Sequence, residues 1–124
     1  MQIRKTFRFE SAHVLPFHPG KCARMHGHSY RLDVAVRGPL RDAGPAQGMV
    51  VDFDDIKRIV RERVVDVLDH RTLNEFDDNP TVERMVLWAW TRLDGTLEGL
   101  DELVLWETDD SCAVLRRSDA NATP

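Results

Sequence analysis

The sequence predicts an α+β fold: a four-stranded antiparallel sheet with two helices on one face, in the order strand, strand, helix, helix, strand, strand. Three observations lead there. Two N-terminal stretches alternate apolar and polar residues, two central stretches repeat apolar residues at helical spacing, and the C-terminal part alternates again around an acidic turn. Runs of strands beside runs of helices indicate a sheet layered against helices rather than βαβ units.

In the first stretch Ile3, Phe7, Phe9, Ser11 and His13 share one parity, while Arg4, Thr6, Arg8 and Glu10 take the other, as in a half-buried strand. Residues 14–25 contain Pro16, Pro19 and Gly20 and read as a loop. From His26 the alternation resumes, with His28, Tyr30, Leu32, Val34 and Val36 on one face and Ser29, Arg31, Asp33 and Arg37 on the other. Gly38 to Gly48 is a second loop. Ile56, Ile59, Val60, Val64, Val67 and Leu68 then fall at helical spacing, with Asp52 or Asp54 as the N-cap. Asp69 to Pro80 is polar and irregular. A second helix starts near Thr81, with Val82, Met85, Val86, Ala89 and Leu93 on its inner stripe. Glu102 to Thr108 and Cys112 to Arg117 form a hairpin turning at Asp109-Asp110-Ser111. The expected organisation is one domain over residues 1–117 and a short polar tail, 118–124, that frays.

With 124 residues, 42% of them apolar and 31% charged, the chain can bury the core of one ordinary globule. Its formal net charge of -4 and scattered basic residues give no field for a phosphate backbone, so nucleic acid is not expected as a partner. No run approaches the length of a membrane span, and the first residues lack a signal-peptide core. A cytoplasmic location is expected, with Cys22 and Cys112 as free thiols.

His26 and His28 are alternate residues of one strand and point to the same side. His13 ends the preceding strand in phase with its apolar face, so antiparallel pairing brings three imidazoles together. Imidazole ligation suits zinc best among common ions. Catalytic zinc keeps three protein ligands and an open position, whereas structural zinc takes four. Cys22, His18 and His70 are the candidates for a fourth.

Cys22 lies between Lys21 and Arg24 on the loop near this cluster, a setting that favours a thiolate. Cys112 has no such setting and reads as structural. Asp69-His70 offers an acid/base pair, although a histidine ending a helix also serves the helix dipole. Glu107 shares parity with Leu103 and Leu105. It is either an inward carboxylate awaiting N–H donors or a strand-end group reaching solvent.

Together these residues resemble the 6-pyruvoyl-tetrahydropterin synthase and 6-carboxytetrahydropterin synthase family. The resemblance rests on Phe9-Glu10-Ser11-Ala12-His13, Cys22-Ala23-Arg24-Met25-His26-Gly27-His28-Ser29-Tyr30, Gly48-Met49-Val50-Val51-Asp52-Phe53, Asp69-His70-Arg71-Thr72-Leu73-Asn74, Asn79-Pro80-Thr81-Val82-Glu83 and Glu107-Thr108, and runs from about Phe7 to Arg117. It implies the tunnelling fold (T-fold) and a homo-oligomer, usually a hexamer made as a dimer of trimers. It implies Zn2+ on His13, His26 and His28, a catalytic group of Cys22, Asp69 and His70 meeting across a subunit boundary, and Glu107 anchoring a pterin ring.

Three residues separate Cys22 from His26, which resembles the carboxytetrahydropterin branch of queuosine and 7-deazapurine biosynthesis, as does Asp52-Phe53 after Met49-Val50-Val51. The pyruvoyl branch has a longer gap, and a third group carries glutamate for the cysteine. The short loop before Cys22 and the tail after Arg117 depart from the family pattern. The implied activity is a zinc-dependent lyase that converts 7,8-dihydroneopterin triphosphate to 6-carboxytetrahydropterin, acetaldehyde and triphosphate. The alternatives are a pyruvoyl synthase that eliminates triphosphate, and a zinc-stabilised binding module without catalysis in which Cys22 is the fourth ligand.

Overall fold

The computed structural model describes residues 1–122. Its elements in chain order are β1 (Gln2–His13), β2 (His26–Arg37), α1 (Phe53–Val60), α2 (Asp66–Leu68), β3 (Arg71–Thr72), α3 (Val82–Leu93), β4 (Leu100–Thr108), β5 (Ser111–Arg116) and α4 (Arg117–Ala122). The four long strands make the expected antiparallel sheet, and β3 adds a two-residue parallel rung against Ser11 and Ala12, giving the order β3-β1-β2-β4-β5. So short a strand has no periodicity to read, which is why Asp69 to Pro80 looked irregular. The fully buried Leu73 in the 3-10 turn that follows pins the segment to the core.

β1 and β2 pair without a break from Gln2 opposite Arg37 to His13 opposite His26. Their inward residues Phe7, Phe9, Tyr30, Leu32, Val34 and Val36 join Leu103, Leu105 and Leu115 in one core. Ile56, Val60, Val64 and Leu68 close that core from one helical segment, and Met85, Ala89 and Leu93 from α3. Asp52 caps α1 by accepting from Asp54 N–H at 2.8 Å, and Thr81 caps α3 by accepting from Arg84 N–H.

One π-helical turn, Arg61–Val65, joins α1 to α2. The burial pattern explains it. Residues 56, 60, 64 and 68 repeat every four positions, and at about 100° per residue an α-helix would rotate that stripe off the core by about 40° each step. The extra residue of a π-turn takes up the drift. Arg63 Nε donates to the Arg92 carbonyl and Arg92 Nε donates to the Arg63 carbonyl, locking this turn to α3.

β4 begins two residues earlier than the alternation suggested, after Gly99. That glycine has φ of +78°, and a Cβ there would lie 2.6 Å from the Arg37 carbonyl oxygen, so no side chain fits. Arg117, expected to end the last strand, and residues 118–122, expected to fray, form a helical turn begun by Arg116 N–H donating to Asp119. Residues 123–124 of the expected tail lie outside the described residues.

Candidate metal centre

Three imidazoles converge at the open end of the β1–β2 ladder. His13 sits opposite His26, and His28 lies one inward position further along β2, opposite Ser11. Their ligand atoms lie within 4.8 Å of one another, with ring centroids 4.5–5.0 Å apart. Among the described residues this group contains only those three side chains; Cys22, His18 and His70 are not in it.

Hydrogen bonding fixes what two of the rings present. His13 Nδ1–H donates to the Pro80 carbonyl at 2.9 Å, and His26 Nδ1–H donates to the Arg24 carbonyl at 2.7 Å. A carbonyl only accepts, so each neutral ring carries its proton on Nδ1 and leaves Nε2 bare. Those two Nε2 atoms face each other at 3.0 Å. Two lone pairs that close repel unless a cation lies between them. The third nitrogen, His28 Nε2, is buried with no hydrogen-bond partner. Burial, reinforced by His13 and His26, holds the His28 imidazolium below its ordinary pKa against the opposing pull of Glu107, which keeps the ring a neutral ligand. Tetrahedral zinc with Zn–N bonds of about 2.0–2.1 Å needs nitrogens about 3.3 Å apart, close to the 3.0 Å between the His13 and His26 Nε2 atoms. The donor set therefore fits zinc.

Tyr30, which alternation identified only as an apolar-phase residue, backs the cluster. It stacks on Phe9 at 5.1 Å, and its Oη lies 3.4 Å from His13 Nδ1. Burial, with the Glu107 carboxylate adding to it, raises its pKa, so it stands there as a neutral phenol. Sequence reading also passed over Asn74 as a functional residue, although it closes the Asp69 to Asn74 segment of the family resemblance. Its amide donates to the Val14 carbonyl and accepts from Val14 N–H, both at 2.9 Å, gripping the chain where it leaves His13.

Glu107 is the extra residue of a bulge: Trp106 pairs with Cys112 and Thr108 with Ser111, leaving Glu107 unopposed on β5. Its Oε1 lies 3.5 Å from His28 Nε2, and the side chain is only partly exposed. The side chain turns toward His28, as its parity with Leu103 and Leu105 indicated, rather than out to solvent at the strand end. Cys22 is half-buried in a 3-10 turn, Lys21–Ala23, and Leu15 N–H donates to its carbonyl at 3.0 Å, which ties this turn to the strand end that carries His13.

Asp69 and His70 are held elsewhere on β1. Glu10 N–H donates to Asp69 Oδ1 at 2.9 Å, and His70 N–H donates to the Glu10 carbonyl. His70 takes φ of +59°, a left-handed conformation uncommon for a residue with a Cβ, and its Nδ1 lies 2.9 Å from Asp69 Oδ1. The backbone N–H of Glu10 is the main cause of a lowered Asp69 pKa, so Asp69 stands as a carboxylate beside His70 Nδ1, and His70 Nε2 makes no hydrogen bond among the described residues. His70 lines an open groove of about 380 Å³ with Glu10, Gly27, His28, Ser29 and Thr72. Among the described residues no hydrogen bond joins this pair to Cys22.

A ββααββ sheet backed by helices, with an inward imidazole cluster at the end of its first hairpin, defines a tunnelling-fold protein equipped to hold a metal ion. The sequence comparisons agree. A family model for 6-pyruvoyl tetrahydropterin synthase matches residues 2–118. A 6-carboxy-5,6,7,8-tetrahydropterin synthase of Synechocystis sp. is 40% identical over 115 residues, 90% of this chain and 89% of that one. The like-named protein of Haemophilus influenzae is 45% identical over 69 residues, 56% of this chain and about half, 49%, of its own length. A dihydroneopterin monophosphate aldolase of Pyrococcus furiosus is 36% identical over 89% of this chain and 94% of that one. The structure of 6-pyruvoyl tetrahydropterin synthase from Caenorhabditis elegans superimposes with a TM-score of 0.81 over 94% of both chains at 25% identity. The chain belongs to the 6-pyruvoyl tetrahydropterin synthase family.

Proposed function

We propose that this protein is a 6-carboxytetrahydropterin synthase: a zinc-dependent lyase that takes 7,8-dihydroneopterin triphosphate and water to 6-carboxytetrahydropterin, acetaldehyde and triphosphate, a product used in queuosine and 7-deazapurine synthesis. The observation that carries the metal-dependent part is the pair of bare Nε2 atoms 3.0 Å apart beside the buried His28 Nε2, which makes no hydrogen bond. The choice of branch is supported by the three-residue gap between Cys22 and His26 and by the names of the Synechocystis and Haemophilus relatives.

When bound on His13, His26 and His28, zinc supplies Lewis-acid polarisation of the substrate's side-chain oxygens, making them and the adjacent C–H groups more acidic. The protein's own groups do the rest. Glu107, aimed inward by its bulge, accepts from pterin N–H donors and sets the ring beside the cluster. Cys22 acts as the thiolate base. His70, its Nδ1–H held by Asp69, gives or takes a proton at Nε2. Because Asp69 and His70 sit on an exposed edge, they serve the cysteine of a neighbouring subunit in a hexamer.

Incubating purified protein with dihydroneopterin triphosphate and identifying the products by mass tests this reading. One acetaldehyde per triphosphate is expected. Triphosphate without aldehyde assigns the pyruvoyl synthase activity instead, and turnover of the monophosphate alone assigns an aldolase like the Pyrococcus relative. No product from either substrate overturns the enzymatic reading.

A further inference from the structure

His13 is the last residue of β1, and a loop containing Pro16 and Pro19 follows it. Local opening is easiest where a ladder of backbone bonds runs out. This end also has a reason to open. The Nε2 atoms of His13 and His26 face each other at 3.0 Å, and their lone pairs repel whenever no cation lies between them.

A side chain from another part of the chain holds the end in place. Glu10 and Val14 stand at the same phase of the strand and turn their N–H and C=O groups to the outer edge of β1, away from β2. At Glu10 these groups meet Asp69 Oδ1 and His70 N–H. β3 then runs beside Ser11 and Ala12 and stops at Thr72. At Val14 the Asn74 amide takes the place of the next backbone rung: Nδ2 donates to the Val14 carbonyl and Oδ1 accepts from Val14 N–H, both at 2.9 Å. That N–H belongs to the peptide group leaving His13. Asn74 is itself fixed, because it sits in the 3-10 turn Leu73–Glu75 between buried Leu73 and Glu75, whose carboxylate accepts from Thr72 N–H. Pro80, further along the same segment, accepts from the His13 ring. The segment therefore holds His13 twice, by its main chain through Asn74 and by its imidazole through Pro80.

We infer, on the reading of the three imidazoles as a zinc centre, that Asn74 is a positioning residue for that centre: it clamps the peptide group leaving His13 and keeps Nε2 facing His26 before the ion arrives. A site held in its binding geometry loses less freedom on binding, and partners that orient ligands from outside the ligand set are worth about tenfold to a hundredfold in metal affinity.

The experiment measures zinc affinity of the full chain by competition with a chromophoric chelator, together with the visible spectrum of the cobalt-loaded protein and the melting temperature of the metal-free one. Asn74→Ala should bind zinc about tenfold to a hundredfold more weakly than wild type and shift the cobalt bands. Asn74→Asp accepts from Val14 N–H but sets a carboxylate against the Val14 carbonyl; it should weaken binding likewise, and it decides the matter should Asn74→Ala fail to fold. Asp52→Ala, which removes the cap of α1, should lower the melting temperature and keep wild-type zinc affinity. Wild-type zinc affinity in a folded Asn74 variant, whatever its melting temperature, would make Asn74 a structural tie only and overturn the inference, as would collapse of both variants. Equal zinc binding by wild type and His26→Ala would instead overturn the metal centre itself, and the role of Asn74 with it.

Discussion

Metal binding at the imidazole cluster should appear as stability, because the site exists only when β1 and β2 are paired. At a free zinc concentration a hundredfold above Kd, linkage adds about 2.7 kcal/mol. Unfolding entropy near 60 °C is about 2.1 cal/mol/K per residue, or about 260 cal/mol/K for 124 residues, so each kcal/mol moves Tm by roughly 4 °C. Zinc should therefore raise Tm by about 10 °C over protein treated with chelator, read by differential scanning calorimetry. His26→Ala removes one of the two facing Nε2 atoms and should abolish the shift, together with bound zinc measured by elemental analysis. It should still fold, since His26 stands at the strand end, outside the hydrophobic core. His18→Ala should keep the full shift, because His18 is exposed and its Nδ1 is engaged by Gly20 N–H. A zinc-dependent rise of undiminished size in His26→Ala would refute the assignment.

Glu107→Gln should leave zinc content unchanged and weaken pterin binding about tenfold to a hundredfold, as expected for losing a charge-assisted hydrogen bond of roughly 1.5–3 kcal/mol; unchanged affinity by fluorescence titration would count against an anchoring role. The folded-state pKa of Asp69 lies below its ordinary 3.8, so its contribution to stability is present at neutral pH and is lost as pH falls through the lowered value. Asp69→Asn should therefore melt below wild type at pH 7, the gap closing as pH falls through the lowered value, and should lower turnover on the order of a hundredfold or more through the His70 tautomer. Cys22→Ala and His70→Ala chains, each inactive alone, should recover part of the activity when assembled together; no recovery in verified mixed oligomers would mean that the two groups act within one chain.

Alternation made the inner face of the first hairpin legible in full. Once β1 and β2 pair through a loop, parity alone brings His13, His26 and His28 to one side, and the structure shows that pairing. Features that break a period were not legible. The π-turn depends on whether a four-residue repeat outlasts the helical twist, which a stripe of apolar letters does not announce. For Glu107, parity with Leu103 and Leu105 pointed inward while the strand's end left a solvent reading open, and the single-residue bulge there has no period to announce it. The bonds that orient the metal-facing nitrogens come from the backbone carbonyls of Pro80 and Arg24, and a carbonyl has no letter in the sequence.

One strand bears both halves of the proposed chemistry, in different directions. The inward residues of β1 end at His13, which is 0% exposed, while the backbone of Glu10 on the same strand holds Asp69 and His70 at its outer edge. His70 is held with care, its backbone left-handed and its Nδ1 against a carboxylate, yet its side chain is 79% exposed. Its backbone N–H ties the segment to β1, but a side chain so exposed adds little to the packing of its own chain. In the proposed mechanism its task is met only when a second subunit brings a substrate and a cysteine to that edge. Much of β1's outer edge is also unpaired, since β3 covers only Ser11 and Ala12, and an open edge beside an exposed acid/base pair is where another chain would add. The same edge would then supply both the contact that builds the oligomer and the proton-transfer group that each active site lacks by itself.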